Sequence, residues 1–346
     1  VQTCALPISH SFTWVRNILF SNNVLGELGY CLYNYNYHFN YITNATFINN
    51  TLTGNSNLMT SLGSAYLEVQ KIIVKNNKYK DYSLLFGIEN AAILKLFDSE
   101  IAENQKYIDS NKLMTAVEEV LVLISSSTFE ILNARLSNNS NLFFASLSNL
   151  NFVNLTIDEI LPIQETRKII KSFGSTIKIN GIDINGVNNF GATKDKLISV
   201  TSGTLEISNF SLINSQVPKG NVIDIISTDL KMNNFSVANS YFSDGGFLKS
   251  LKGSRILLKD GELNNMNYLI SSTEDSEIAF QTITFVTSNL NRFIISILRS
   301  ASLEFQEVYI ELDPTKMNES LLTSVVLLDG CGPEVLIKVY KAGIYW

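Results

Sequence analysis

Charge, cysteine, proline and histidine are all scarce in this chain of 346 residues. Charged side chains make up 17%, against roughly a quarter in an ordinary globular protein. The 26 basic and 32 acidic groups leave a net charge of −6. A phosphate backbone needs a basic stripe to bind it, so nucleic acid is excluded as a partner. No apolar run approaches the ~18–20 residues of a membrane-spanning helix, so no membrane span is expected. The longest runs, such as LVLI and VVLL, are strand-sized. The cysteines stand too far apart for a disulfide framework or a zinc site. No calcium-binding nonapeptide, glycine-rich phosphate loop or activated serine constellation occurs, and no cofactor is expected.

The opening VQTCALPI, residues Val1–Ile8, reads as the in-frame translation of a common sequencing adapter. It is set aside as non-native, and Cys4 goes with it, leaving Cys31 and Cys331. The close, GCGPEVLIKVYKAGIYW, departs from the style of the rest. Residues 329–346 are therefore expected to form an irregular, truncated end to a repeat domain spanning 9–328.

What is abundant is asparagine, serine, threonine and repetition. LEISNFSLINS from Leu205 returns as LKMNNFSVANS from Leu230. With Asn209 as column zero, equivalents fall at Arg16, Asn44, Lys71, Asp98, Asn133, Asn154, Gly181, Asn234, Asp260, Thr282 and Glu307. From Arg16 to Glu307 there are eleven steps of about 26 residues each. Two residues before column zero every position is apolar, from Trp14 through Ile207, Met232 and Leu258 to Phe305. Four before, all but Asn40 are apolar, beginning with Phe12; three after, all are apolar, beginning with Leu19. Apolar residues at minus four and minus two alternate as in a strand. Parity then slips by one, because the apolar positions resume at plus one and plus three. A one-residue slip turns a strand's inward face outward. Both halves face one core only if the chain bends at column zero, where Asn, Asp and Gly tolerate left-handed backbone angles. Column plus five is again turn-like, with Asn49, Asn76, Asn138, Asn214, Asn239 and Asn265. A third apolar strand follows, as in NVIDIIS and GFLKSLK. Such units bury their apolar faces only by stacking. The expected fold is all-β: a right-handed, single-stranded parallel β-helix of about 12 coils, with three short strands per coil. In the longest unit NKLMTAVEEVLVLI, from Asn111, is a candidate helical insertion.

YITNATFINNT, LEISNFSLINS and FSVANSYFSDGGFLKS resemble the right-handed parallel β-helices of the pectin-lyase-like superfamily, in particular Asn-rich surface proteins. The resemblance covers roughly Phe12 to Leu328. It implies either a surface protein or a polysaccharide lyase or glycoside hydrolase. Hydrolases of this fold need carboxylates at defined separation, and lyases use several to hold calcium. No two Asp are adjacent here, and the histidines are His10 and His38. The best acidic group is Asp98, Glu100 and Glu103, a candidate for metal binding or catalysis or a solvated face. Its neighbours at those columns are amides and bases. Asp158 with Glu159 is the next such group. No catalytic residue is assigned.

Sequons for N-glycosylation stand at Asn44, Asn49, Asn138, Asn154, Asn209, Asn234 and Asn318. If used, they place the protein outside the cell. The aromatic run YCLYNYNYHFNY, Tyr30 to Tyr41, is either a sugar-stacking surface or a mixture of core positions and a loop. The expected function is a non-enzymatic extracellular or cell-surface segment of a larger protein, acting as stalk or adhesive surface with glycans or other surface proteins as partners. The alternative is a polysaccharide lyase or hydrolase with an unrecognised active site.

Overall fold

A computed structural model describes residues 12–107, 120–161, 168–186, 196–216, 220–240, 246–264, 270–273, 275–287, 295–297, 301–312, 326–328 and 336–345. Among these residues all regular structure is β-strand. The chain divides into two compact units, Val1–Ile177 and Lys178–Trp346.

In the first unit one sheet holds the long strands β1 (Phe12–Ser21), β4 (Phe39–Ile48), β7 (Tyr66–Lys75), β10 (Ile93–Ala102), β13 (Thr128–Asn139) and β15 (Asn149–Ile160), in that order. A second holds β3 (Tyr30–Tyr35), β6 (Asn57–Leu62), β9 (Leu84–Glu89), β12 (Val122–Ser125), β14 (Phe143–Ser146) and β16 (Ile170–Phe173). A third, short sheet stacks β2 (Val24–Leu25), β5 (Thr51–Leu52), β8 (Lys78–Lys80) and β11 (Gln105–Tyr107). The second unit repeats the long ladder in β17 (Thr176–Asn185, all but its first two residues), β19 (Thr204–Ile213), β21 (Asp229–Ala238), β23 (Arg255–Asn264), β25 (Ser276–Thr287), β27 (Ala301–Leu312) and β29 (Leu336–Tyr345). Its second ladder is β18 (Lys196–Thr201), β20 (Asn221–Ile226), β22 (Gly246–Leu251), β24 (Ile270–Thr273), β26 (Ile295–Ile297) and β28 (Val326–Leu328). Neighbours pair in parallel, and each chain turn returns to lie on the one before. The protein is an all-β parallel β-solenoid.

The two half-strands read from the sequence are one bent strand. Asn44, Lys71, Asp98, Asn133, Asn154, Gly181, Asn209, Asn234, Asp260, Thr282 and Glu307 all have φ between 50° and 84°. The ladder skips them: Ser208 pairs Asn233 and Phe210 pairs Phe235, with Asn209 and Asn234 left between. One left-handed residue absorbs the parity slip, so Leu205, Ile207, Phe210 and Leu212 all point inward and are buried. Ile207 pairs Met232, which pairs Leu258, and all three are buried. A second left-handed corner falls five residues on, at Asn49, Asn76, Glu103, Asn138, Glu159, Asn214 and Asn239.

Next to that second corner the interior is polar. In the first unit Asn50, Asn77, Asn104 and Asn139 are buried and form a ladder with half-buried Asn23. Each Oδ1 receives both the backbone N–H and the Nδ2 of the preceding member: Asn50 gives both to Asn77 at 2.9 Å, and Asn77 gives them to Asn104 at 3.2 and 2.9 Å. The Nδ2 atoms also donate to nearby carbonyls, as Asn77 does to Phe47 and Lys75. Turn backbone that would otherwise lie buried and unpaired is thereby satisfied. Serines do the same elsewhere: Ser127 N–H donates to Ser148 Oγ and Ser148 N–H to Ser175 Oγ. In the second unit Ser215 N–H donates to Ser240 Oγ.

In the first coil column zero is Asn17 (φ 58°), not Arg16, because Arg16 pairs Thr43 and Ile18 pairs Ala45. Phe12, Trp14 and Leu19, read as inward, are therefore exposed, and Val15 pairs the core residue Ile42. In the candidate helix NKLMTAVEEVLVLI the tail Val122–Ile124 is strand, and Asn111 to Glu119 lie outside the described residues. Within the expected irregular end, Leu336–Tyr345 is a strand on β27, with register shifts either side of Gln306.

Candidate functional site

The bend at column zero fixes what the outer wall presents. A left-handed residue between two inward ones turns its side chain outward, and Asn44, Asn154, Asn209 and Asn234 are all exposed. Their amides form a second, external ladder. Asn44 Nδ2 donates to Asn17 Oδ1 (2.9 Å), Asn154 Nδ2 to Asn133 Oδ1 (3.0 Å) and Asn234 Nδ2 to Asn209 Oδ1 (2.6 Å). Asn209 Nδ2 reaches Asn180 Oδ1 at 2.9 Å. Four of the sequon asparagines are thus side by side with neighbours of their own kind. Asn49 is exposed and Asn138 half-buried at the second corner, and Asn318 lies outside the described residues.

The candidate acids do not converge. Asp98 sits at the bend, where its Oδ1 accepts from Asn133 Nδ2 at 3.1 Å. Glu100 pairs with Lys75, and Glu103 stands at the second corner with φ 56°. Asp158 pairs with Arg135 at 2.9 Å. Among the described residues no group of three His, Cys, Asp or Glu side chains is placed to hold a metal ion. Charges on the long strands instead alternate between coils, as in Lys95–Glu130 at 2.9 Å and Lys178–Glu206 at 3.7 Å.

Among the described residues two recesses bear on this surface. In the second unit an open groove of about 440 Å³ follows the bend of β19, β21 and β23. Asp183, Asn209, Asn234, Asp260 and Glu262 line it, so it is acidic and amide-rich. Gly261 also lines it and is buried, and the Phe235 ring fills the place of the missing side chain, 2.2 Å from where a Cβ would stand.

The other recess is apolar and lies on the outer face of β1, β4 and β7. Phe12 stands over Phe39 and Phe39 over Tyr66, while two residues along Trp14 stands over Tyr41. Ring centroids are 5.1 Å apart for Phe12–Tyr41, 5.8 Å for Tyr41–Tyr66 and 5.9 Å for Phe39–Tyr66. Phe12, Trp14 and Phe39 are 66, 59 and 51% exposed, far above a core aromatic. Polar groups close its edges. The Arg16 guanidinium lies 4.6 Å from the Trp14 ring centre. Glu68 accepts from Tyr66 Oη (2.8 Å) and from Gln70 Nε2 (3.2 Å). Partial burial, and then the hydrogen bond to Glu68, push the Tyr66 hydroxyl above its ordinary pKa.

The aromatic run Tyr30 to Tyr41 splits between two faces. Cys31 and Asn34 are buried, whereas Tyr30, Tyr33 and Tyr35 form a partly exposed stack with centroids 5.0 and 6.0 Å apart. Phe39 and Tyr41 join the patch on the long strands. The sequence pattern places Phe12 and Trp14 inward, because its best apolar alignment sets the first coil one residue out of register.

These features define a parallel β-solenoid with amide ladders on its inner and outer sides. Comparison with protein-family models, with curated proteins and with solved structures returns no match. Among the described residues no helix is long and apolar enough to cross a membrane.

Proposed function

We propose that the chain is a non-enzymatic segment of a larger extracellular or cell-surface protein, of the Asn-rich pectin-lyase-like kind, which holds a binding surface on a stiff coiled support. The observation that carries this is the contrast between its two faces. Inward positions repeat the same chemistry coil after coil, in apolar stacks and amide or serine ladders. Outward positions change from aromatic to charged to amide along the same strands. A support needs the first set to repeat so that coils stack, and its packing leaves the second set free to differ. The sequon asparagines at the external bend are accessible to a glycosyltransferase, and a modified amide keeps one N–H for its ladder.

The test has two arms. Expression through a eukaryotic secretory pathway should give protein that loses mass on treatment with peptide-N-glycosidase, with Asn44, Asn154, Asn209 and Asn234 among the modified sites. The purified chain should bind cells or glycans without altering them. Turnover of any acidic polysaccharide, with or without calcium, would replace this reading with the lyase or hydrolase alternative.

A further inference from the structure

From the outer face of β1, β4 and β7 we infer a binding site for a neutral, extended β-1,4-linked glycan, stacked on Phe12, Trp14, Phe39, Tyr41 and Tyr66. The inference rests on the surface-display reading and names the ligand class of one face.

Three observations select this occupant. The first is spacing. Neighbouring coils lie one strand spacing apart, ~4.8 Å, and the ring centroids here are 5.1 to 5.9 Å apart. That is roughly one sugar residue of an extended glycan. Successive pyranoses, whose axial C–H bonds make an apolar face, can each meet an aromatic ring. Exposed rings offer such a face at little conformational cost. The second is shape. The patch is two columns wide with an apolar recess of about 200 Å³ between Phe12, Trp14 and Tyr41. A stable protein partner covers about 800 Å² on each side, whereas a glycan chain needs a narrow strip. The third is charge. The rim holds a carboxylate, an amide and a guanidinium, on Glu68, Gln70 and Arg16. Glu68 accepts from Tyr66 and Gln70 and keeps lone pairs for sugar hydroxyls. It also repels a uronate, in a chain whose net charge is already −6. The Arg16 guanidinium offsets the Glu68 carboxylate, so the rim has no surplus of positive charge to recruit an acidic glycan, and a neutral one fits all three conditions.

The experiment uses the full chain with Trp346→Phe, which leaves Trp14 as the one tryptophan. Cellohexaose and chitohexaose are titrated against Trp14 emission, and pull-down on microcrystalline cellulose and chitin is run beside polygalacturonate. A blue-shifted, saturable emission change and retention on at least one neutral polymer are expected. Trp14→Ala with Tyr41→Ala should weaken retention at least tenfold with an unchanged far-UV spectrum, because both side chains lie outside the core. Glu68→Gln should leave neutral binding within a few-fold and raise retention on polygalacturonate at low salt. If the double variant binds glycans or cells as well as the parent, this site is wrong and the surface-display reading stands. If the parent retains no neutral glycan but binds a protein through these rings, the ligand class is wrong. If the parent binds neither glycans nor cells, both the site and the adhesive part of the wider reading fall.

Discussion

At the scale of single residues, the interior asparagines decide the most. Asn77 is fully buried, and its side chain pairs with two backbone carbonyls, one backbone N–H and the amides on either side. Asn77→Ala takes the acceptor from the buried Asn50 N–H, an unpaired group costing about 1–3 kcal/mol, and removes one bond each from the Phe47 carbonyl, from the Lys75 carbonyl, which keeps the Asn49 N–H, and from the flanking amides. We expect a loss of about 3–4 kcal/mol in urea unfolding, against about 1 kcal/mol or less for an exposed asparagine such as Asn44→Ala. Tyr79 gives the opposite sign. Its ring is fully buried between Leu52 and Lys106 in the short ladder, and among the described residues its hydroxyl has no hydrogen-bond partner. Tyr79→Phe should raise the urea midpoint by removing that unpaired group. Burial also holds the Tyr79 hydroxyl and the Cys31 thiol well above their ordinary pKa values. Both folded values exceed the unfolded ones, so their contribution is intact below about pH 8.5 and falls as pH rises. Each group above its unfolded pKa removes about 1.4 kcal/mol per pH unit. Stability should decline from about pH 8.5 and more steeply beyond about 10, and Cys31→Ser should abolish the first phase. Native Cys31 should also resist thiol reagents until the chain unfolds. The interior amides escaped the sequence reading for a definite reason. A pattern search takes polar residues as outward, and column plus six departs from that because turn backbone needs partners.

At the scale of the strand, the bend is what the sequence shows most plainly. Polar or glycine residues at every column zero, flanked by apolar pairs of opposite parity, leave one geometry that keeps both halves on the core. Lys71 is a poorly suited occupant: it holds φ at 59° with a long side chain and no turn-forming amide. A left-handed residue other than glycine costs about 1–2 kcal/mol. Lys71→Gly should therefore stabilise by about 1 kcal/mol, and Asn209→Val should destabilise by about 2 kcal/mol or more, since a β-branched side chain fits φ of 56° worst. Thermal unfolding of the two variants checks both signs. The same strand logic explains where the reading slipped. In β1 the outward residues are Phe12 and Trp14, so apolar character no longer marks the inside, and the best apolar alignment was one residue out. The candidate ligand face was hidden by the same inversion, since a binding aromatic and a core aromatic look alike in sequence. The sequons are legible as motifs, and Asn44, Asn154, Asn209 and Asn234 also as occupants of the outward corner column; the amide-to-amide bonds beside them depend on side-chain geometry that no sequence pattern carries.

At the scale of the whole molecule, a solenoid's stability is a sum over coils and the contacts between neighbours, so the second unit can be shortened by one whole coil. Asn234 occupies the place of Asn209, 25 residues earlier. Deleting Phe210 through Asn234 joins Asn209 to Phe235. The resulting strand keeps Leu205 and Ile207 inward before the bend and Phe235 and Val237 inward after it. It can stack on the Arg255–Asn264 strand as the Asp229–Ala238 strand does now, because Phe235 and Val237 already pair Gly261 and Leu263. The shortened chain should fold cooperatively, with a strand-type far-UV spectrum and a urea m-value reduced by about one coil's share of buried surface. Removing one residue more, Phe235, is the control. It places Ser236 and Ala238 inward and turns Val237 out, which unpacks the half-strand after the bend. That variant should melt well below the 25-residue deletion although it differs by a single residue. Equal stability of the two would show that column register does not govern how the coils pack, and the fold described here would fail with it.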